Sequence, residues 1–268
     1  MAIGHLTKDL LAEGYAWGGV AYAALTAKGL GRRVGVVTSA GPDMDRSLFE
    51  EMDLLCLPSP VTTTFRNIYG KGGRTQFIYA RAEPIKGETI PLPWRESAIV
   101  HLGPVAQELE EEMVWLFPCS LVGITPQGWL RRWDEEGRVR PQRWKGAEAI
   151  LPRVVLMVSE EDLAGEAGAL KDQLGLAAMA VVTRGKQGAT LYHGGQKHHF
   201  APPETPVVDP TGAGDIFAAA FLVRLAEAQD PCEAARFATV ASSLSVARPG
   251  LAAIPSREEI ERRLGVDG

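Results

Sequence analysis

The chain has 268 residues and 46% hydrophobic content, enough to bury one sizeable α/β core without calling for two full domains. Lysine and arginine number 28 against 33 aspartates and glutamates, a formal net charge of −5 with no long run of either sign, which excludes a basic nucleic-acid-binding stripe. Three widely spaced cysteines, Cys56, Cys119 and Cys232, give neither a disulfide framework nor a zinc motif. With no apolar run of membrane-spanning length and no signal layout at Met1-Ala2-Ile3-Gly4-His5, a cytoplasmic protein is expected.

Ile3-Gly4 ends a short apolar run, and Asp9 follows five residues after Gly4. On its own, an acid among leucines reads as a turn or cap residue. Trp17-Gly18-Gly19 opens a small-residue helix that closes at Gly29-Leu30-Gly31. The glycine pair either lets a polar ligand approach bare backbone or serves a strand-to-helix turn. Arg33 to Thr38 predicts a buried strand, and Gly41-Pro42-Asp43 leads to a helix through Leu48 to Met52. Between Val61 and Ile85, the runs Thr62 to Tyr69 and Arg74 to Ala80 flank Gly70-Lys71-Gly72-Gly73 and predict a hairpin bearing Arg66, Asn67, Gln76 and Arg81.

Ala98 to Gly103 predicts another strand, Pro104 to Trp115 its helix, and Leu121 to Ile124 the next strand. His101 reads as a packed residue, while Thr125 and Gln127 lie past a strand end, where a ligand crevice forms. The charged stretch Arg131 to Arg143 reads as a solvated connection anchored by Trp133 and Trp144. Val154 to Val158 is an apolar strand, after which Ser159 caps a helix with Glu160, Glu161 and Asp162 in its first turn. Ala180 to Thr183 passes through Gly185 and Gly188 into a hairpin closed by Gln196 to Phe200, whose His198-His199 pair lacks metal-ligand spacing.

Val207-Val208-Asp209-Pro210-Thr211-Gly212-Ala213-Gly214-Asp215 then runs into the apolar Ile216 to Leu222, a strand-turn-helix with almost no side chains in the first helical turn. The unpaired amides of Gly212, Ala213 and Gly214, with the helix dipole behind them, form an anion site. Asp215 beside it repels an anion, unless its task is to take a proton from whatever attacks a bound phosphate. Pro231 to Ala247 predicts a closely packed helix of small residues.

Asp209-Pro210-Thr211-Gly212-Ala213-Gly214-Asp215 resembles the C-terminal signature of the PfkB carbohydrate kinases, the ribokinase-like family. The resemblance implies that Asp215 is the general base and Gly212-Ala213-Gly214 the anion hole, with Thr211 beside the donor. It makes Asp9 a ligand of substrate hydroxyls and Gly18-Gly19 the pair that contacts the sugar, although Ala23 stands where such kinases commonly carry Asn. Thr183, Gly185 and Gly188 resemble the segment that approaches the nucleotide phosphates. Ser242 to Gly250 falls where family members line the adenine pocket and, in some, a monovalent-cation site. Ser159 and Asp162 replace the family's Asn-x-x-Glu, implying Mg2+ held at Asp162 through water.

The fold implied is α/β, a ribokinase-like three-layer sandwich with a mainly parallel central sheet and a small β lid mainly within 61–85, all in one domain over 1–268. The activity implied is ATP-dependent phosphorylation of a hydroxyl on a small sugar or sugar-like polyol, in a chain whose Ala23 and Ser159 resemble the inositol-kinase-like branch. Lid edges paired between subunits would make a homodimer. Two rivals stay open: a nucleoside kinase, in which Phe65 or Tyr79 stacks on a base, and a catalytically silent nucleotide-binding protein.

Overall fold

Short runs of β-branched and aliphatic residues build the sheets of the computed structural model, which describes residues 1–70 and 73–266. In chain order the elements are β1 (Ala2–Ile3), β2 (Leu6–Leu10), β3 (Tyr15–Gly19), α1 (Val20–Gly29), β4 (Gly35–Ala40), β5 (Asp53–Pro58), β6 (Thr63–Gly70), β7 (Gly73–Ala80), β8 (Ile99–Leu102) and β9 (Leu121–Ile124). They continue with β10 (Arg131–Trp133), β11 (Val139–Pro141), α2 (Ala147–Ile150), β12 (Val155–Ser159), β13 (Met179–Thr183), β14 (Ala189–His193), β15 (Gln196–Phe200), α3 (Ala213–Ala228), α4 (Pro231–Ser245) and α5 (Arg257–Val266).

Nine strands form one sheet in the order β15-β14-β13-β12-β9-β8-β1-β4-β5, parallel except for the β14–β15 hairpin at one edge. Strand alternation sends Val155, Met157, Val181 and Leu191 to one face, where they pack under Phe217, Phe221 and Phe237 of α3 and α4. Leu156, Val158 and Val182 face the opposite layer, which consists largely of 3-10 turns and loops around Phe117, Trp129 and Trp144. A second sheet, β3-β2-β6-β7, stands apart as the lid. Half of it comes from residues 6–19, outside the 61–85 segment where the lid was expected. In the turn expected between β6 and β7, Lys71 and Gly72 lie outside the described residues.

Several expected elements take another form. Instead of a helix through Leu48 to Met52 there is a 3-10 turn, Arg46–Phe49, capped by Asp45 on the Ser47 amide. No α-helix follows Pro104: the buried Glu108 carboxylate accepts the amides of His5, Val105 and Ala106 and holds that chain as a loop, and the 3-10 segment Glu111–Leu116 is what remains of the expected helix. Ser159 and Asp162 hydrogen-bond each other in a turn, and the chain continues as the 3-10 segment Gly165–Leu176 rather than an α-helix. Val207 and Val208 are exposed and form no strand: Pro202, Pro203, Pro206 and Pro210 lack ladder donors, and the Val208 and Asp209 amides both go to Val246 O. Arg131 to Arg143 is largely exposed, as expected, with Trp144 buried as its anchor, but it is folded as the β10–β11 hairpin and Arg131 at its start is buried.

Candidate active site

The crevice is built where the carboxyl ends of the central strands meet the start of α3. Gly212 caps α3 at φ 77°, a left-handed conformation, with the Tyr22 ring directly beneath it; a Cβ there would lie 2.5 Å from the ring carbons. Asp209 closes the turn from behind, accepting the Thr211 amide at 2.9 Å and the Gly250 amide at 3.2 Å. Gly214 is exposed, and a Cβ on it would meet nothing within 4 Å. The Ala213 amide, expected to be unpaired, instead donates to Pro210 O at 3.3 Å, which leaves the backbone at Gly212 and Gly214 as the bare part of the turn at the positive end of a sixteen-residue helix.

A cavity of about 730 Å³ opens beside this turn, lined by Thr183, Gly185 and Gly188 on one side and Ala213 and Gly214 on the other. Pro203, Val207, Phe217 and Val246 give it apolar walls, and Lys186 brings a cation to its lining. Of the residues assigned to the donor, Thr211, Gly212 and Gly250 stand outside this lining and act in the turn itself.

Across α3, Asp215 keeps some contact with solvent but is densely surrounded by protein, and burial pushes its carboxyl up to about 7. Asp162 and Asp9 push in the same direction, and Arg131 opposes them. Asp9 sits on β2, opposite Ala16 of β3 and Phe65 of β6. The absent Cβ of Gly18 makes room for it: that atom would lie 2.8 Å from Asp9 Oδ2. Gly19 caps α1 at φ 63° beside His5 O. Register places Asn67 two residues beyond Phe65, with Gln76 opposite, so both share the Asp9 face of the lid. The Gln76 amide donates to Asn67 Oδ1, while its own Oε1 is buried without a hydrogen-bond partner. Arg66 is exposed on the other face, and Arg81 is tied to Gln107 O and lies over Trp133.

Arg131, Asp162, Ser159 and Gln127 form the third side. Asp162 Oδ2 accepts the Ser159 hydroxyl at 2.6 Å, and Oδ1 receives Arg131 Nη2 and Gln127 Nε2, each at 3.3 Å. Thr125 is engaged by His101, a buried imidazole whose pKa burial pushes down to about 4, so this pair is packing. No group of three or more His, Cys, Asp or Glu is placed to hold a metal among the described residues. Asp162 alone suits an ion that keeps its water shell and arrives on phosphate oxygens. Ala23 is buried in an apolar cluster with Leu6 and Val20, so the position that departs from the kinase pattern lies in the core.

Sequence reasoning missed Arg131, Tyr22 and the turn-closing role of Asp209. Asp209 stood within the signature, but its partner Gly250 is distant in the chain. Arg131 was hidden by its charge, which in a stretch rich in Arg and Glu reads as solvated.

A family model described as pfkB family carbohydrate kinase matches residues 152–258. A fructokinase of Escherichia coli is 28% identical over 267 residues, covering 87% of this chain and 86% of that one. An inositol 3-kinase of Zea mays is 30% identical over 178 residues, covering 66% and 42%. Among solved structures, a pyrophosphate-dependent kinase in the ribokinase family, complexed with a pyrophosphate analog and myo-inositol, superposes with a TM-score of 0.82 at 23% identity, covering 97% of this chain and 98% of that one.

Proposed function

The chain belongs to the pfkB family of carbohydrate kinases and acts on a sugar or polyol, and from that premise we propose that ATP is its donor, a small hydroxyl-rich polyol its acceptor and Asp215 its general base. The observation that carries this reading is the 730 Å³ cavity ending at Ala213 and Gly214, 
with Asp215 one residue further along the helix. Its apolar walls suit a nucleoside, and the bare helix start suits the phosphates that follow it.

In the reaction, Asp215 takes the proton of the acceptor hydroxyl as that oxygen bonds to the terminal phosphorus of the donor. The bond from phosphorus to the bridging oxygen breaks, and its electron pair leaves on ADP. The amides of Gly212 and Gly214 hold the transferring group, joined by that of Ala213 once it releases its 3.3 Å bond to Pro210 O. Asp162, with Ser159 and Gln127 around it, would hold Mg2+ through water; the ion supplies charge neutralisation on the donor phosphates. Asp9, Asn67 and Gln76 face the acceptor from the lid, and the unpartnered Gln76 Oε1 is a ready acceptor for a substrate hydroxyl. Phe65 is buried in an apolar cluster with Ile78 and Ala106 rather than offering a free ring face to a base, and Tyr79 is exposed beside Phe77; the covered Phe65 ring favours a polyol over a nucleoside.

Pyrophosphate is the second reading for the donor, favoured by the likeness to the pyrophosphate-dependent kinase. The same proposal includes a homodimer through the lid, whose Leu11, Tyr15, Ile68 and Tyr79 are exposed. The test is a turnover screen over pentoses, hexoses, inositols and nucleosides with ATP and with pyrophosphate. ATP with a polyol should give the highest kcat/KM; turnover confined to nucleosides, or to pyrophosphate, would overturn the corresponding half.

A further inference from the structure

Resting on this reading of the site, we propose that Tyr22 is a positioning residue for the acceptor, its phenol hydroxyl held in reserve to donate to the inner oxygen of Asp9 when an acceptor hydroxyl takes the outer one. Tyr22 stands in the first turn of α1, 1% exposed, and its hydroxyl is buried with no hydrogen-bond partner among the described residues. A buried donor left unpaired costs stability, so a phenol is a poor choice where phenylalanine would fill the same space, unless the hydroxyl is paired in another state. Its surroundings hold it protonated. Burial first, and then the carboxylates of Asp209, Asp9 and Asp215, raise the phenol's pKa, so the donor stays in place at neutral pH.

The ring lies between the two halves of the site. One face is under Gly212, where a Cβ would come within 2.5 Å of Cδ1, Cδ2 and Cε1. The hydroxyl-bearing end reaches the other glycine turn: the position of a Cβ on Gly18 lies 3.6 Å from Tyr22 Cε2 and 2.8 Å from Asp9 Oδ2. The ring edge and the carboxylate therefore border one small space, kept open because Gly18 has no side chain. Thr7 Oγ1 borders it too, 2.9 Å from the same point, but a neutral hydroxyl is a weaker acceptor than a carboxylate. A carboxylate accepts at about four lone-pair positions and turns about a soft terminal torsion, so Asp9 can keep its other contacts, receive an acceptor hydroxyl and take the phenol. The charge-assisted bond forms only in the loaded site, where it adds to acceptor affinity and fixes the plane of the carboxylate.

The full-length protein would be assayed as Tyr22→Phe, Asp9→Ala and the double variant beside the wild type, with MgATP as donor. The acceptor is whichever of ribose, fructose and myo-inositol gives the highest wild-type kcat/KM, and its Kd is read by calorimetry. Without acceptor, Tyr22→Phe should melt at or above wild type, because it deletes an unpaired buried hydroxyl and keeps the ring under Gly212. Its acceptor Kd and KM should rise about tenfold or more, the scale of a hydrogen bond to a charged group, with donor KM changed less than about threefold. On the Asp9→Ala background the same substitution should change acceptor kcat/KM by less than about twofold, since the phenol acts through Asp9. A tyrosine with only a packing role would leave acceptor affinity in place on both backgrounds. Acceptor Kd within about threefold of wild type in Tyr22→Phe overturns the proposal, as does an equal loss with or without Asp9, or a free Tyr22→Phe protein that melts several degrees below wild type. Where Asp9→Ala has no measurable turnover, Asp9→Asn replaces it, and the loss should shrink at least about threefold on that background. Unchanged acceptor Kd in Asp9→Ala, or no turnover with any of the three acceptors, would instead overturn the reading of the acceptor site, and the role of Tyr22 with it.

Discussion

Asp215 must be charged to act as a base, yet its surroundings resist the charge. Burial comes first, then the carboxylates of Asp162 and Asp9, and together they raise it from an ordinary 3.8 to about 7 against the pull of Arg131. A base with that value works at neutral pH, so kcat/KM should rise with pH through about 7 and level off above it. A profile flat from pH 5 to 9 would contradict the assignment. Asp215→Asn keeps the shape and removes the proton acceptor, so kcat should fall by about 10²–10⁴-fold with donor affinity equal or slightly tighter, read by single-turnover kinetics and calorimetry. The same residue makes a stability prediction of fixed sign. Its folded value lies above its unfolded one, so its favourable contribution is complete below about 4 and is lost as pH rises through about 7. Asp215→Asn should therefore melt higher than wild type at pH 8.5, with the gap closing at pH 5.

At the scale of elements, the start of α3 separates fold from function across two glycines. Gly212 sits at φ 77° with the Tyr22 ring where a Cβ would go, so Gly212→Ala meets backbone strain of about 1–2 kcal/mol and a collision with a buried ring. It should lower melting temperature measurably and weaken donor binding as a secondary effect. Gly214 has open space where its Cβ would stand, within a helix that prefers alanine by about 0.8–1.0 kcal/mol. Gly214→Ala should melt at or above wild type and still raise donor KM by about tenfold or more, because the added methyl stands at the cavity lining. Equal donor KM in this variant would remove the bare helix start from the mechanism. This turn was legible in the sequence because its chemistry is local: Gly212 to Asp215 are contiguous, and α3 follows from their apolar continuation. The region from Pro104 to Trp115 was not. Its helical composition is overridden by Glu108, whose carboxylate gathers the amide of His5 from 103 residues away. Arg131 failed to show for the same reason, since burial by a hairpin and by Asp162 is tertiary information.

For the whole molecule, the small sheet is the element that the proposed mechanism uses to shield acceptor chemistry from water, and half of it is contributed by the first nineteen residues. Its two edges differ. The β7 edge is engaged by the turn before β11, where Ile78 N donates to Gly137 O and Phe77 bridges to Arg138. At the opposite edge, β3 pairs only with β2 among the described strands, and exposed Leu11 and Tyr15 stand at its start and at the preceding turn. An unpaired edge beside exposed apolar groups is where a second copy gains most, through added strand pairing and apolar burial together. Wild-type protein should therefore scatter light as a particle of twice 28.9 kDa. Leu11→Lys with Tyr15→Lys should shift that mass towards 28.9 kDa with melting temperature lowered by no more than a few degrees, since neither side chain packs in a core. Acceptor KM should rise at least several-fold in the same variant, because Asp9 and Gly18 lie on the two strands that the partner would steady. A wild type that is monomeric at assay concentration, with unchanged acceptor KM in the double variant, would remove the partner from this account and leave the lid to act within one chain.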